Sequence, residues 1–328
     1  MHTAFPTRRH TLACIAAAAA ALLAAATPAT AQPEGRPVTL LVGFPPGGGV
    51  DIVARQLAEK LQRQTGRTFI VENKPGAGGN LAMETVARAP ADGLTLLMGN
   101  LGMLSVNPAL YPKLSVDPSR DLVPVSRLVV TPLVAIVPPG NGGRTVQDVL
   151  QQARKSDGFM FASGGNGNIN HLAPQLFSMQ AQVPMTHVPY KGSAAALTDL
   201  SAGRVHLMID AGNVVQGFVK DGRARAVFTT GEKRSTGYDV PTAREAGFPD
   251  MVIYGWQGVL APAGTPPAVV EKWSQEIGRA LADPVLAAKL SEQGTEPNHL
   301  GPAAFKTFVE AERKRWTGVV KAANITLE

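Results

Sequence analysis

One cysteine, Cys14, occurs in the 328 residues, and it falls in an N-terminal stretch that reads as an export signal. The rest of the chain can form no disulfide and no thiolate metal site, so its fold has to rest on packing. Aromatic residues make up only 5% of the chain and charged residues 17%. The basic side chains are dispersed with no run of five, so the basic patches with interleaved rings expected of a nucleic-acid binder are missing. Beyond the N-terminal stretch no segment approaches the roughly 18 consecutive apolar residues that mark a membrane-spanning helix. Disorder is excluded from the other side, since 45% of the residues are apolar.

Catalytic signatures are equally scarce. There is no G-x-x-x-x-G-K-[ST] phosphate loop, no G-x-S-x-G and no H-E-x-x-H. Gly76-Ala77-Gly78-Gly79 runs on into Asn80 and Leu81, so it misses the last glycine of the dinucleotide fingerprint. His171, His187, His206 and His299 lack metal-ligand spacing. The sequence therefore predicts no metal, no cofactor and no enzyme. A periplasmic hydrolase or transferase is left without a nucleophile, base and orienter at recognisable spacing.

Residues 1–31 do carry a pattern. Arg8 and Arg9 form a basic start, an Ala/Leu stretch spans 12–26, and Ala29-Thr30-Ala31 supplies small residues for a signal peptidase. This predicts a signal peptide cleaved before Gln32 and export to the periplasm. His10-Thr11-Leu12 continues a twin-arginine motif poorly, which favours general secretion. Cys14 precedes most of the apolar run, where a lipoprotein cysteine would follow it. Without Arg8 and Arg9 the formal charge of +6 falls but stays mildly positive, which suits small anionic ligands.

The remaining chain alternates strands and helices. A short apolar run at 38–42 ends in a glycine loop, and Val50, Val53, Ala54, Leu57, Ala58 and Leu61 then keep the rhythm of one helix face up to Gly66. A strand at 68–71, a helix at 81–88 and a strand at 94–98 complete a βαβαβ series. A second series has strands at 159–162, 186–188, 205–209 and 224–229 between helices at 145–155, 169–179, 193–201 and 214–220. Between the two series a proline-punctuated apolar stretch, 122–138, reads as extended and long enough to cross between lobes. After a strand at 258–262, helices at 267–281, 284–290 and 302–322 follow with no strand among them and are expected to pack back on the first lobe. The predicted fold is α/β, with lobe 1 formed by 32–130 plus 261–328, lobe 2 by 131–260, and a ligand cleft between them.

In such sheets ligands bind beyond the carboxyl ends of the strands, at helix N-termini with free N–H donors. Two loops qualify, 44–51 and 163–168. The amides of Gly47, Gly48 and Gly49 and of Ser163, Gly164, Gly165, Asn166 and Gly167 are candidate anion donors. Phe44 is placed to cover an apolar part of a ligand, Asn80 and Asn100 to donate to a carboxylate, and Ser163 to offer a hydroxyl. His171, Tyr190 and Asp210 complete the ligand-binding candidates, each with a packing, capping or lobe-contact role as the alternative. Asp51 reads as a helix-start residue and Lys191 as a solvated charge.

In order along the chain stand VGFPPGGGVD from Val42, VENKPGAGGN from Val71, DGLTLL from Asp92, VPYKG from Val188, PTAREAG from Pro241 and LAPAGTP from Leu260. Together they resemble the Bug family, the extracytoplasmic solute receptors of tripartite tricarboxylate transporters, along nearly the whole mature chain. The resemblance implies a two-lobed periplasmic binding protein, type II-like. It would work as a monomer that closes on a small carboxylate held largely by loop amides and ordered water. The ligand would be a dicarboxylate, a tricarboxylate, an amino acid or an aromatic acid, passed to membrane permease subunits. A sensor feeding a signalling system would use the same lobe pair. Val50 departs from the family, which usually offers Thr or Ser there, and Asn166 and Asn168 make the second loop amide-rich.

Overall fold

The computed structural model describes residues 35–111, 113–140, 143–235 and 237–326. The expected signal peptide and its cleavage before Gln32 lie outside them. The first unit is the expected βαβαβ series: β1 (Val38–Val42), α1 (Gly49–Thr65), β2 (Phe69–Asn73), α2 (Asn80–Ala87) and β3 (Thr95–Asn100). β1 pairs in parallel with β2 and β3 and is buried on both faces, which explains its mostly apolar sequence, Val-Thr-Leu-Leu-Val. Val38, Leu40 and Val42 face Val53, Leu57 and Leu61 of α1, while Leu41 turns to Ala82, Met83 and Val86 of α2. Gly66 ends α1 in the left-handed conformation at φ +70°. The loop after β1 also passes very close to the turn before α2: a Cβ on Gly43 would sit 2.7 Å from the Gly79 Cα.

After β3 a π-type turn, Gly102–Val106, leads into the short α3 (Asn107–Leu110). β4 (Leu122–Val137) is the extended crossing segment. Up to Pro132 it runs antiparallel to β9 (Tyr254–Pro262), and from Leu133 it pairs with β7 (Met208–Ala211) and β8 (Arg225–Thr229). The other elements of the second unit are α4 (Val146–Lys155), β5 (Met160–Ser163), α5 (Ile169–Ala181), β6 (Thr186–Pro189), α6 (Ser193–Ser201) and α7 (Gly212–Lys220). Side chains of β4 alternate here too. Val134 and Ile136 pack with Leu197, Leu200 and Val215, and Leu133, Ala135 and Val137 with Val149, Leu172 and Phe177.

The chain returns along β9, which also pairs antiparallel with β3, and ends in α8 (Pro267–Leu281), α9 (Pro284–Glu292), β10 (Glu296–Leu300) and α10 (Pro302–Ala322). Trp273 and Ile277 of α8 join the core beneath β1, and Phe305 and Trp316 of α10 join the core on its other face. The C-terminal helices thus pack on the first unit. One expectation is corrected: a strand, β10, does lie among them, antiparallel to β4. Its sequence, Glu-Pro-Asn-His-Leu, hides it, because an edge strand with a register break after Pro297 needs neither alternation nor a full ladder.

Candidate functional site

A cavity of about 350 Å³ opens where strand ends meet helix starts. From the first unit it is lined by Phe44, Gly49 and Val50, by Gly78, and by Asn100, Leu101, Gly102, Asn107, Leu110 and Tyr111 after β3. The second unit contributes the continuous run from Asn166 to Asn170, with Ala211, Asn213 and Val214. Thr131, Gly255, Trp256 and Gln257 of the crossing strands complete the wall. No Asp, Glu, Lys, Arg or His side chain stands among the described lining residues. Polarity comes from the carboxamides of Asn100, Asn107, Asn166, Asn168, Asn170, Asn213 and Gln257, from the hydroxyls of Tyr111 and Thr131, and from backbone.

Three helices of 9 residues or more begin at this wall. The N-cap residues of α1, α5 and α7 are Gly48, Asn168 and Ala211, and none makes a side-chain capping bond. Side-chain caps do occur at α4, where Thr145 and Asp148 form a reciprocal capping box, and at α9, capped by Asp283, whereas α2, α6, α8 and α10 also start without one. An uncapped first turn leaves N–H groups without an intrahelical partner and a partial positive charge. Three such ends facing one space favour an anion there without a formal cation.

Asp51 shapes the first loop from behind. Its Oδ2 accepts from the Gly47 N–H and from Arg55 Nε, both at 2.9 Å, and its Oδ1 accepts from Asn73 Nδ2 at 2.8 Å. Burial alone would raise this carboxyl, but those hydrogen bonds and the Arg55 charge outweigh it and hold the pKa at about 2. The charge is thereby spent on the loop and on Arg55, and does not confront an anion in the cavity.

The second loop rests on two stacked imidazoles. The rings of His171 and His187 lie 3.6 Å apart and almost parallel, at 8°. Nδ1 of His171 accepts from the Gly167 N–H at 3.1 Å, and Nε2 of His187 lies 2.6 Å from the Ser163 hydroxyl. Burial lowers each imidazole to about 4, with the neighbouring His171 adding to the effect on His187. Both rings are neutral near pH 7. Deeper still, Asp210 accepts from Asn170 Nδ2 at 2.8 Å, from the Ser193 hydroxyl at 2.6 Å and from its neighbour Ala211 N–H at 2.7 Å. Near-complete burial pushes its pKa up despite these donors.

Of the residues singled out in the sequence, Phe44, Gly49, Asn100, Asn166 and Gly167 are brought together on the wall. Gly47 and Gly48 stay within the loop, and the positive φ belongs to Gly47, at +80°, not to Gly48, which is extended at φ −76°. Ser163 is fully buried, its hydroxyl engaged with His187 and the Gly165 carbonyl. The Gly164 N–H donates to Asn170 Oδ1 at 3.2 Å, and the Gly165 N–H donates back to Ser163. His171 and Asp210 support wall residues from behind. Asn80 accepts from the wall residue Asn107 at 2.6 Å, and the Tyr190 hydroxyl donates to Asp199 at 2.8 Å, away from the cavity. Lys191 is exposed and outside the wall.

The sequence reading missed Asn107, Tyr111, Asn170, Asn213, Trp256 and Gln257 as wall residues, while Asn168 belongs to the loop it marked as amide-rich. The rule that ligands meet helix starts beyond strand ends, applied to the segments after β3 and β7 as well, reaches Asn107 and Asn213. Nothing local marks Trp256 and Gln257, which come to the wall because β9 crosses between the units.

Residues 53–325 match the model of the tripartite tricarboxylate transporter family receptor. BugT of Bordetella pertussis is 34% identical over 296 residues, covering 89% of this chain and 91% of that protein. A protein of R. palustris whose structure was solved with adipate superposes with a TM-score of 0.79 at 35% identity, covering 90% of this chain and 99% of its own. MatC from Rhodopseudomonas palustris with bound malate gives a TM-score of 0.73 at 31% identity, covering 87% and 99%.

Proposed function

Because the chain belongs to the tripartite tricarboxylate transporter receptor family, we propose that its cavity captures a small organic carboxylate outside the cytoplasm and presents it, chemically unchanged, to membrane permease subunits. The observation that carries this reading is a wall with three uncapped helix starts and seven carboxamides but no charged side chain among the described residues. Such a wall stabilises an anion with fixed dipoles and offers no nucleophile or general base. The adipate and malate bound by the two relatives are carboxylates of fitting size. The ligand-binding residues in this reading are Phe44, Gly49, Asn100, Asn166 and Gly167, joined by Asn107, Asn168, Asn170, Asn213 and Trp256. Gly47, Gly48, Ser163, Gly164, Gly165 and His171 hold the loops, and Asn80 and Asp210 orient Asn107 and Asn170.

The chain passes from lobe 1 to lobe 2 within β4 near Pro132, and returns at the start of β9, nearer 254 than 261. Export follows cleavage of the leader before Gln32. The test is mass spectrometry of the small molecule released when the purified protein is denatured, followed by calorimetry with that compound. Recovery of an intact carboxylate that rebinds supports the proposal. Rebinding only of a cation or a neutral sugar, or turnover of the ligand, would sink it.

A further inference from the structure

Beside the main cavity lies a second one of about 220 Å³. Ile52 and Val53 of α1 form its apolar side, and Gln216 of α7 with Gln293 and Thr295 ahead of β10 form its polar side. Gly49 and Asn213 line both spaces. A side chain at Gly49 would meet nothing within 4 Å, so no packed atom closes the boundary at that point. The two floors are joined by a buried hydroxyl pair, Thr131 Oγ1 and Thr295 Oγ1, at 3.2 Å. The carboxamides of Gln216 and Gln293 have no hydrogen-bonding partner among the described residues, and Ile52 leaves 38% of its surface uncovered.

We propose that this side cavity is a subsite for the far end of an elongated aliphatic dicarboxylate whose first carboxylate occupies the main cavity; the inference rests on the carboxylate reading above. The methylene chain would cover Ile52, and the second carboxylate would accept from the free amide groups of Gln216 and Gln293. A short diacid ends before the boundary at Gly49 and Asn213 and leaves these groups to water. Gln216 and Gln293 therefore set chain-length preference without contributing to capture of the first carboxylate.

Calorimetry with succinate and with pimelate, on the wild-type protein and on the Gln216→Ala/Gln293→Ala double variant, tests this. The wild type is expected to bind pimelate more tightly than succinate, and the double variant to lose about tenfold or more in pimelate affinity with succinate affinity unchanged, since hydrogen bonds to a charged group are lost. Ile52→Trp, which fills the space from the other side, should penalise pimelate in the same selective way; circular dichroism verifies that each variant is folded. Succinate binding as tight as pimelate binding, or equal losses for both acids in the double variant, overturns the subsite and leaves the carboxylate reading standing. If the wild type binds no carboxylate at all, both fall.

Discussion

A glycine facing open space separates binding from folding at a single position. Gly49 is the first residue of α1, free of the positive φ that would demand glycine, with nothing within 4 Å of where a Cβ would lie. Gly49→Val should therefore leave the thermal midpoint nearly unchanged while putting a branched side chain into ligand space and lowering carboxylate affinity by about tenfold or more. Lys191→Ala removes an exposed charge outside the wall and should change affinity little, even at low salt. Calorimetry on both variants checks this, and the reverse ranking would mean that a side-chain cation, not backbone, holds the anion. The stacked histidines make a second prediction at this scale. Their native pKa values, about 4, lie below the ordinary 6.5, so the unfolded chain binds more protons between those values. Stability is then full above about pH 6.5 and declines as pH falls toward about 4. Urea midpoints measured across that window should fall with acidification, and His187→Gln, which keeps a hydrogen-bonding group for Ser163, should flatten the fall.

Among the elements, the loop leading into α1 depends on a residue that touches no ligand. Asp51→Asn keeps the shape but loses the charge that pairs with Arg55 and turns one of its acceptor oxygens into a donor against the Gly47 N–H or Asn73. The expected cost is about 1–3 kcal/mol of stability, read from denaturant midpoints near neutral pH. Because the native pKa of Asp51 is lowered to about 2, its contribution persists down to about pH 4 and disappears only as pH falls further, below the window in which the histidines act. The helices and most strands were legible, since α1 buries Val53, Ala54, Leu57, Ala58 and Leu61 of its marked face and β1 buries its apolar residues. β10 was not, because its pairing comes from β4 and leaves no trace in Pro297, Asn298 and His299. The site was legible in part. Glycine loops after β1 and β5 announced Gly49 and Gly167, whereas Trp256 and Gln257 reach the wall only through tertiary crossing, and Ser163 and Tyr190, polar at strand ends, face inward or away to satisfy His187 and Asp199.

For the whole molecule, β4 and β9 are the strands that carry the chain between the two halves, and their ladder is not regular. Register shifts fall between Pro124 and Ser126 and between Arg127 and Val129. Such irregularities are where paired strands bend most easily. Since each half supplies part of the wall, a bound ligand should bias the pair toward closure, and X-ray scattering should give a smaller radius of gyration with saturating carboxylate than without. Superimposable curves would argue for a preformed site.

The buttress beneath that crossing also makes the protein its own optical probe. Glu312 of α10 accepts from Nε1 of both Trp256, at 3.2 Å, and Trp316, at 3.1 Å, while Nε1 of Trp273 donates to the Gly93 carbonyl at 2.9 Å. All three indoles in the chain are buried, but Trp256 alone lines the cavity, so its emission should shift when a ligand settles against that wall, over the background of the other two. A fluorescence titration then counts occupied cavities without a label, and Trp256→Phe should abolish the signal while calorimetry still detects heat of binding.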